Sequence, residues 1–159
     1  MLVLEDYLPL VVCVSGSSFD ATELKLMIDG FERVFAREER YPELFVPQPG
    51  VRIPGPQERQ ALAAWANHPR VVEISKRLCV GTAAIIYNPL FRVALSAIVS
   101  FQPLHSRVYP VSTLDRGLEQ CLEWLERQRV PLSQPAGLLQ YEVRARVQEL
   151  LERGAPVSG

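Results

Sequence analysis

The sequence predicts an α/β domain: a mostly parallel mixed sheet of four to five strands covered by helices, with one further helix appended at the C-terminal end. Three observations predict it. Short runs rich in β-branched residues alternate with longer runs of helical period, and clusters of Gly, Pro, Ser and Asn separate them. The composition, 48% hydrophobic and 22% charged over 159 residues, is that of a globular chain of single-domain size. Such a chain buries about 68–70% of its unfolded surface and needs no metal or disulfide staple.

Leu2-Val3-Leu4 is a first short apolar run, with Asp6-Tyr7 as a turn after it. Leu10 to Val14 reads as a buried strand closed by the breaker cluster Ser15-Gly16-Ser17-Ser18. Asp20 then caps a helix, and Glu23 three positions on supplies the carboxylate version of a capping box. Leu24, Met27, Ile28, Phe31, Val34 and Phe35 give this helix one apolar face; it is expected to reach about Glu39 and to stop before Pro42. Leu44-Phe45-Val46 is a short strand entering a loop punctuated by Pro47, Pro49, Gly50, Pro54, Gly55 and Pro56. Pro56 suits the first turn of a helix whose buried side is Leu62, Trp65 and Ala66. Pro69 interrupts it, and Val71 to Leu78 forms a second helical piece.

Val80 to Tyr87 is the next buried strand. Asn88 caps, and Pro89 begins, a helix to about Phe101 that is apolar nearly all round, Arg92 being its single charge. Arg107 to Val111 is a short strand that Pro110 assigns to an edge or a strand end. Ser112 or Thr113 caps the following helix, with Leu114, Leu118, Cys121, Leu122 and Leu125 on one side and Arg127 and Arg129 near its end. After a linker from Val130 to Gly137, the helix Leu138–Arg153 carries Leu139, Val143, Val147, Leu150 and Leu151 as a stripe. That stripe either folds back on the domain or pairs with another copy or partner. The tail from Gly154 is expected to be disordered.

Composition sets several function classes aside. The net charge of −1, with basic residues interleaved among acidic ones, gives no field toward nucleic acid or an anionic membrane. Cys13, Cys79 and Cys121, odd in number and without C-x-x-C spacing, read as reduced core thiols. A charged n-region before a long apolar stretch is missing, and no segment approaches the length of a bilayer span, so the expected location is cytoplasmic. His68 and His105 stand in loops without a triad-like neighbourhood. Glu38-Glu39 and the pair Glu119 and Glu123 sit beside arginines as surface pairs. Ser15 to Ser18 is a strand–helix junction with one glycine, short of any nucleotide-loop spacing. No catalytic residue, metal or cofactor is expected.

Three segments together resemble the STAS domain, the anti-sigma-factor antagonist fold, and its STAS/SEC14-type relatives. They are Leu10 to Gly16 feeding a capped helix, the Arg59…Trp65 helix ahead of the strand Gly81 to Tyr87, and Val108 to Leu125, which closes in Cys121-Leu122-Glu123-Trp124-Leu125. The resemblance covers about residues 2 to 129, which divides the chain into a STAS-like unit, 1–129, and an appended linker, helix and tail, 130–159. It implies a scaffold that works by gripping other proteins. Signalling members carry a phosphorylatable serine in the loop after the third strand; here that loop, Pro47 to Gly55, has neither serine nor threonine.

The expectation is therefore a non-enzymatic, STAS-like regulatory module that binds another protein, with Arg59, Asn88, Phe91 and Arg92 as its contact surface. Two alternatives stand beside it. One is a small carrier with a cavity under helix Pro89–Phe101 for a lipid or other apolar ligand, and the other is an immunity-type inhibitor of a cognate toxin. Self-association through helix 138–153 would make a dimer.

Overall fold

The computed structural model describes residues 1–16, 20–51, 55–89 and 108–153. Five strands, β1 (Leu2–Leu4), β2 (Val11–Val14), β3 (Tyr41–Val46), β4 (Cys79–Ile85) and β5 (Val108–Val111), form one sheet in the order β1-β2-β3-β4-β5. β1 pairs antiparallel with β2, and every later pair is parallel. This is the expected α/β class with a mostly parallel mixed sheet. Among the described residues five helices accompany it: α1 (Ala21–Ala36), α2 (Pro56–Ala66), α3 (Pro69–Leu78), α4 (Leu114–Arg127) and α5 (Ala136–Glu152). None of them is long and apolar enough to cross a membrane. The expected helix Pro89–Phe101, with Phe91 and Arg92, and the tail from Gly154 lie outside the described residues.

Strand alternation sorts the side chains into two cores. Val3, Val11, Cys13 and Tyr41 face α1, α2 and α3, with Met27, Phe31, Val34 and Phe35 of α1 buried against them. Leu4, Val12, Val14, Leu44, Val46, Ala83, Ile85 and Val111 face the other way, onto α4 and α5. The strand order explains the segregation. Parallel strands added in one direction by right-handed crossovers place their connecting helices on one face. The opposite face is left for the helices that follow the last strand. α4 docks there closely: a Cβ on Gly81 would lie 2.9 Å from the Trp124 ring, and one on Gly117 would lie 2.5 Å from Leu44 Cδ1. Trp124 also meets Tyr109 edge-on, at a centroid distance of 6.4 Å. α5 then folds back on its own domain, sealing Leu139, Val143 and Val147 completely. Its exposed apolar side chains are Leu138 and Tyr141.

Several boundaries depart from the sequence expectation. α1 ends at Ala36 instead of about Glu39, because Glu38 takes a positive φ of 53° that no helix continues through. β3 starts at Tyr41, three residues early, and accommodates Pro42 beside a shift of register between Tyr41 and Pro42. α3 begins at Pro69 instead of Val71, the proline occupying its first position. β4 spans Cys79–Ile85 instead of Val80 to Tyr87. Thr113, and not Ser112, caps α4, its Oγ1 accepting from Arg116 N at 3.3 Å. The capping box at α1 is re-used: Asp20 Oδ1 accepts from Glu23 N at 3.0 Å, while Glu23 Oε2 accepts from Gly16 N at 3.0 Å and pairs with the Met1 ammonium.

Candidate functional site

The expected contact residues divide. Arg59 lies exposed in the first turn of α2, on the connection from β3 to β4, and Asn88 lies exposed just after β4, at the carboxyl end of that strand. Tyr87, 48% exposed, joins those connections by donating from its hydroxyl to the Pro47 carbonyl at 3.1 Å. Phe91 and Arg92 are outside the described residues. His68 is exposed at the start of α3, and His105 is not among the described residues. At the Ser15–Gly16 junction the amide that could meet an anion is already taken by the Glu23 carboxylate.

The more specific arrangement lies on the α1–α3 face, where sequence reading placed no site. A cavity of about 300 Å³ opens between these helices and strands β3 and β4. Helical spacing in α1 brings Met27, Phe31 and Phe35 to one wall. α2 supplies Leu62, Trp65 and Ala66, and α3 supplies Val71, Val72 and Ser75. Phe31 and Trp65 rings stand 5.7 Å apart between centroids, and Phe35 stacks on Trp65 at 6.4 Å and 9°. α2 has no fully buried residue, since its inner side borders this space instead of packed core. Cys79, expected in the core, is half-buried on the cavity wall.

The floor carries a carboxylic acid. In β3, Tyr41, Glu43 and Phe45 alternate toward the helices while Leu44 and Val46 face α4, so the pleat fixes the side to which Glu43 points. Thr82, its cross-strand partner on β4, donates from Oγ1 to Glu43 Oε2 at 3.1 Å. The cavity gives Glu43 some accessible surface, yet protein surrounds it densely. Burial holds its carboxyl above the ordinary carboxylate range, against the Thr82 hydroxyl and the Cys13 thiol, which lower it. Burial likewise raises the Cys13 and Cys121 thiols and the Tyr41 phenol, with the Glu43 charge adding to each. Thiols held protonated in this way are weak nucleophiles. One polar atom of the wall is unanswered: Trp65 Nε1–H is buried without a hydrogen-bond partner.

The arrangement is thus an aromatic-walled space with a protonatable acid on its floor. Among the described residues, no group of three or more His, Cys, Asp or Glu is placed to hold a metal ion. The missed residue had a signal. Extending the strand pattern back to Tyr41 would have put the charge of Glu43 on a core-facing position. No family model, curated protein or solved structure matches the chain, so the site is read from its own geometry.

Proposed function

We propose that the protein is a non-enzymatic binding module of STAS-like type that takes a small apolar ligand into the cavity between α1, α2, α3 and the sheet. The observation that carries this reading is a mostly apolar cavity of about 300 Å³ walled by the Phe31, Phe35 and Trp65 rings, with one carboxyl, Glu43, on its floor. A volume of about 300 Å³ stands at the small end of ligand pockets, which are mainly apolar with a few convergent polar groups. The carrier reading thereby gains over the others, although its cavity lies under α1–α3 instead of helix Pro89–Phe101.

A second reading is a protein partner gripped at the carboxyl end of the sheet, where the exposed Tyr87 and Asn88 follow β4 and Tyr87 bonds the Pro47 carbonyl after β3. In that reading cavity occupancy replaces loop phosphorylation as the input. One experiment separates the two. The neutral fluorophore N-phenylnaphthylamine is titrated into wild type, Ala66→Trp and the double variant Arg59→Ala with Asn88→Ala, alongside circular dichroism. Saturable fluorescence in wild type and the double variant, reduced at least about tenfold in Ala66→Trp at unchanged dichroism, supports the cavity. Equal fluorescence in all three sinks it.

A further inference from the structure

The chemistry of the cavity floor narrows the ligand class. Glu43 is a carboxyl with a protein donor aimed at it, Thr82 Oγ1 at 3.1 Å. Donors stabilise the anion, so the local hydrogen bonding is set for a carboxylate. The counter-charge is what the surroundings leave out. Ion pairs among the described residues lie elsewhere, on the surface and between the Met1 ammonium and Glu23, and none reaches Glu43. Thr82 of β4 hydrogen-bonds it, and Cys13 of β2, Tyr41 of its own strand and Cys121 of α4 lie within its electrostatic reach. The side chains that α1, α2 and α3 turn to the cavity carry no charge, their polar atoms being the Ser75 hydroxyl and the Trp65 indole.

A buried carboxylate is stable only when paired. Aromatic walls add a preference of their own: the faces of Trp, Tyr and Phe attract organic cations and repel anions. We infer that the cavity recognises a small organic cation, an amine carrying an apolar substituent, whose ammonium pairs with Glu43 while the substituent packs against Phe31, Phe35 and Trp65. This rests on the cavity reading above and adds the ligand's charge. Proton bookkeeping follows. Where the carboxyl is still protonated, binding the cation displaces that proton to the buffer, and the anion then faces the ammonium. Affinity for the cation must therefore rise with pH through the Glu43 titration, as long as the amine stays protonated, whereas a neutral ligand bound by the acid form must lose affinity over the same range.

The test uses the full chain and three probes of one shape: phenylethylammonium, phenylethanol and phenylacetate, measured by calorimetry in two buffers of different ionisation enthalpy. The expected result is binding of the ammonium at least about tenfold tighter than of the alcohol, with proton release, and little binding of phenylacetate. Glu43→Gln, nearly isosteric, should lose about tenfold for the ammonium and leave the alcohol unchanged. Thr82→Val, which keeps Glu43 and removes one donor, should lose a few-fold for the ammonium alone. Equal or tighter binding of the alcohol overturns the inference, as does ammonium binding that survives Glu43→Gln. If N-phenylnaphthylamine binds the cavity but phenylethylammonium does not displace it, the charge assignment fails while the cavity reading stands. If the fluorophore also fails, both fall.

Discussion

At the scale of single residues, Glu43 concentrates the chemistry and also a cost to stability. Its carboxyl titrates above the ordinary range because burial outweighs the Thr82 hydroxyl and the Cys13 thiol. The folded state therefore holds a proton that the unfolded chain has released. The contribution is fully present below the ordinary carboxylate value and is lost as pH rises through the folded value. Urea denaturation from pH 4 to 8 should show stability falling with pH over that window. Glu43→Gln should flatten the fall and raise stability near pH 7; an unchanged pH profile in the variant would contradict the assignment. The sequence hid this residue because the apolar run Leu44-Phe45-Val46 marks only part of the strand, which in fact reaches back through Pro42 to Tyr41 across a shift of register. Trp65 was legible as an inward-facing residue. Its unanswered N–H was not, since hydrogen-bond partners depend on neighbours that sequence spacing does not name.

Elements were more legible than their ends. The stripe Leu139, Val143, Val147, Leu150 marks α5 by period alone, and the buried set matches it. Period cannot say what covers a stripe, which is why folding back and self-pairing stayed level until the contacts were known. With Leu139 fully sealed against the sheet and Tyr141 67% exposed, the two positions should respond differently. Leu139→Ala should cost about 2–5 kcal/mol in unfolding free energy. Tyr141→Ala should stay within about 0.5 kcal/mol. Similar losses at both would mean that α5 packs otherwise. Any self-association through this helix would have to use Leu138 and Tyr141. Helix ends were misread where they depend on backbone φ, as at Glu38, or on a choice between adjacent hydroxyls, as at Ser112 and Thr113.

For the whole molecule, alternation of strand and helix predicted the class but not the lateral order, because a parallel crossover can add its strand on either side. The sequential order found here keeps α1–α3 together and leaves Leu4, Val12, Val14, Leu44, Val46 and Ile85 to be covered by α4 and α5. Removing residues 130–159 should therefore uncover an apolar sheet face beside β1 and β2. The truncated chain is expected to melt well below the intact one, to bind a hydrophobic dye and to associate in size-exclusion chromatography. A monomer of unchanged melting temperature would show that α5 is dispensable.

Contacts from α5 and the segment just before it reach far back along the chain. Gln48 Nε2 donates to the Leu150 carbonyl at 3.4 Å, and the Ser133 hydroxyl donates to the Leu8 carbonyl at 2.9 Å across 125 positions. During synthesis, the earliest strands must wait with one side bare until residues 139–150 leave the ribosome. Closure of such distant pairs is slow and exposes unpaired apolar surface meanwhile. Translation speed and chaperone supply therefore bear on this chain through its last helix, long before any ligand does.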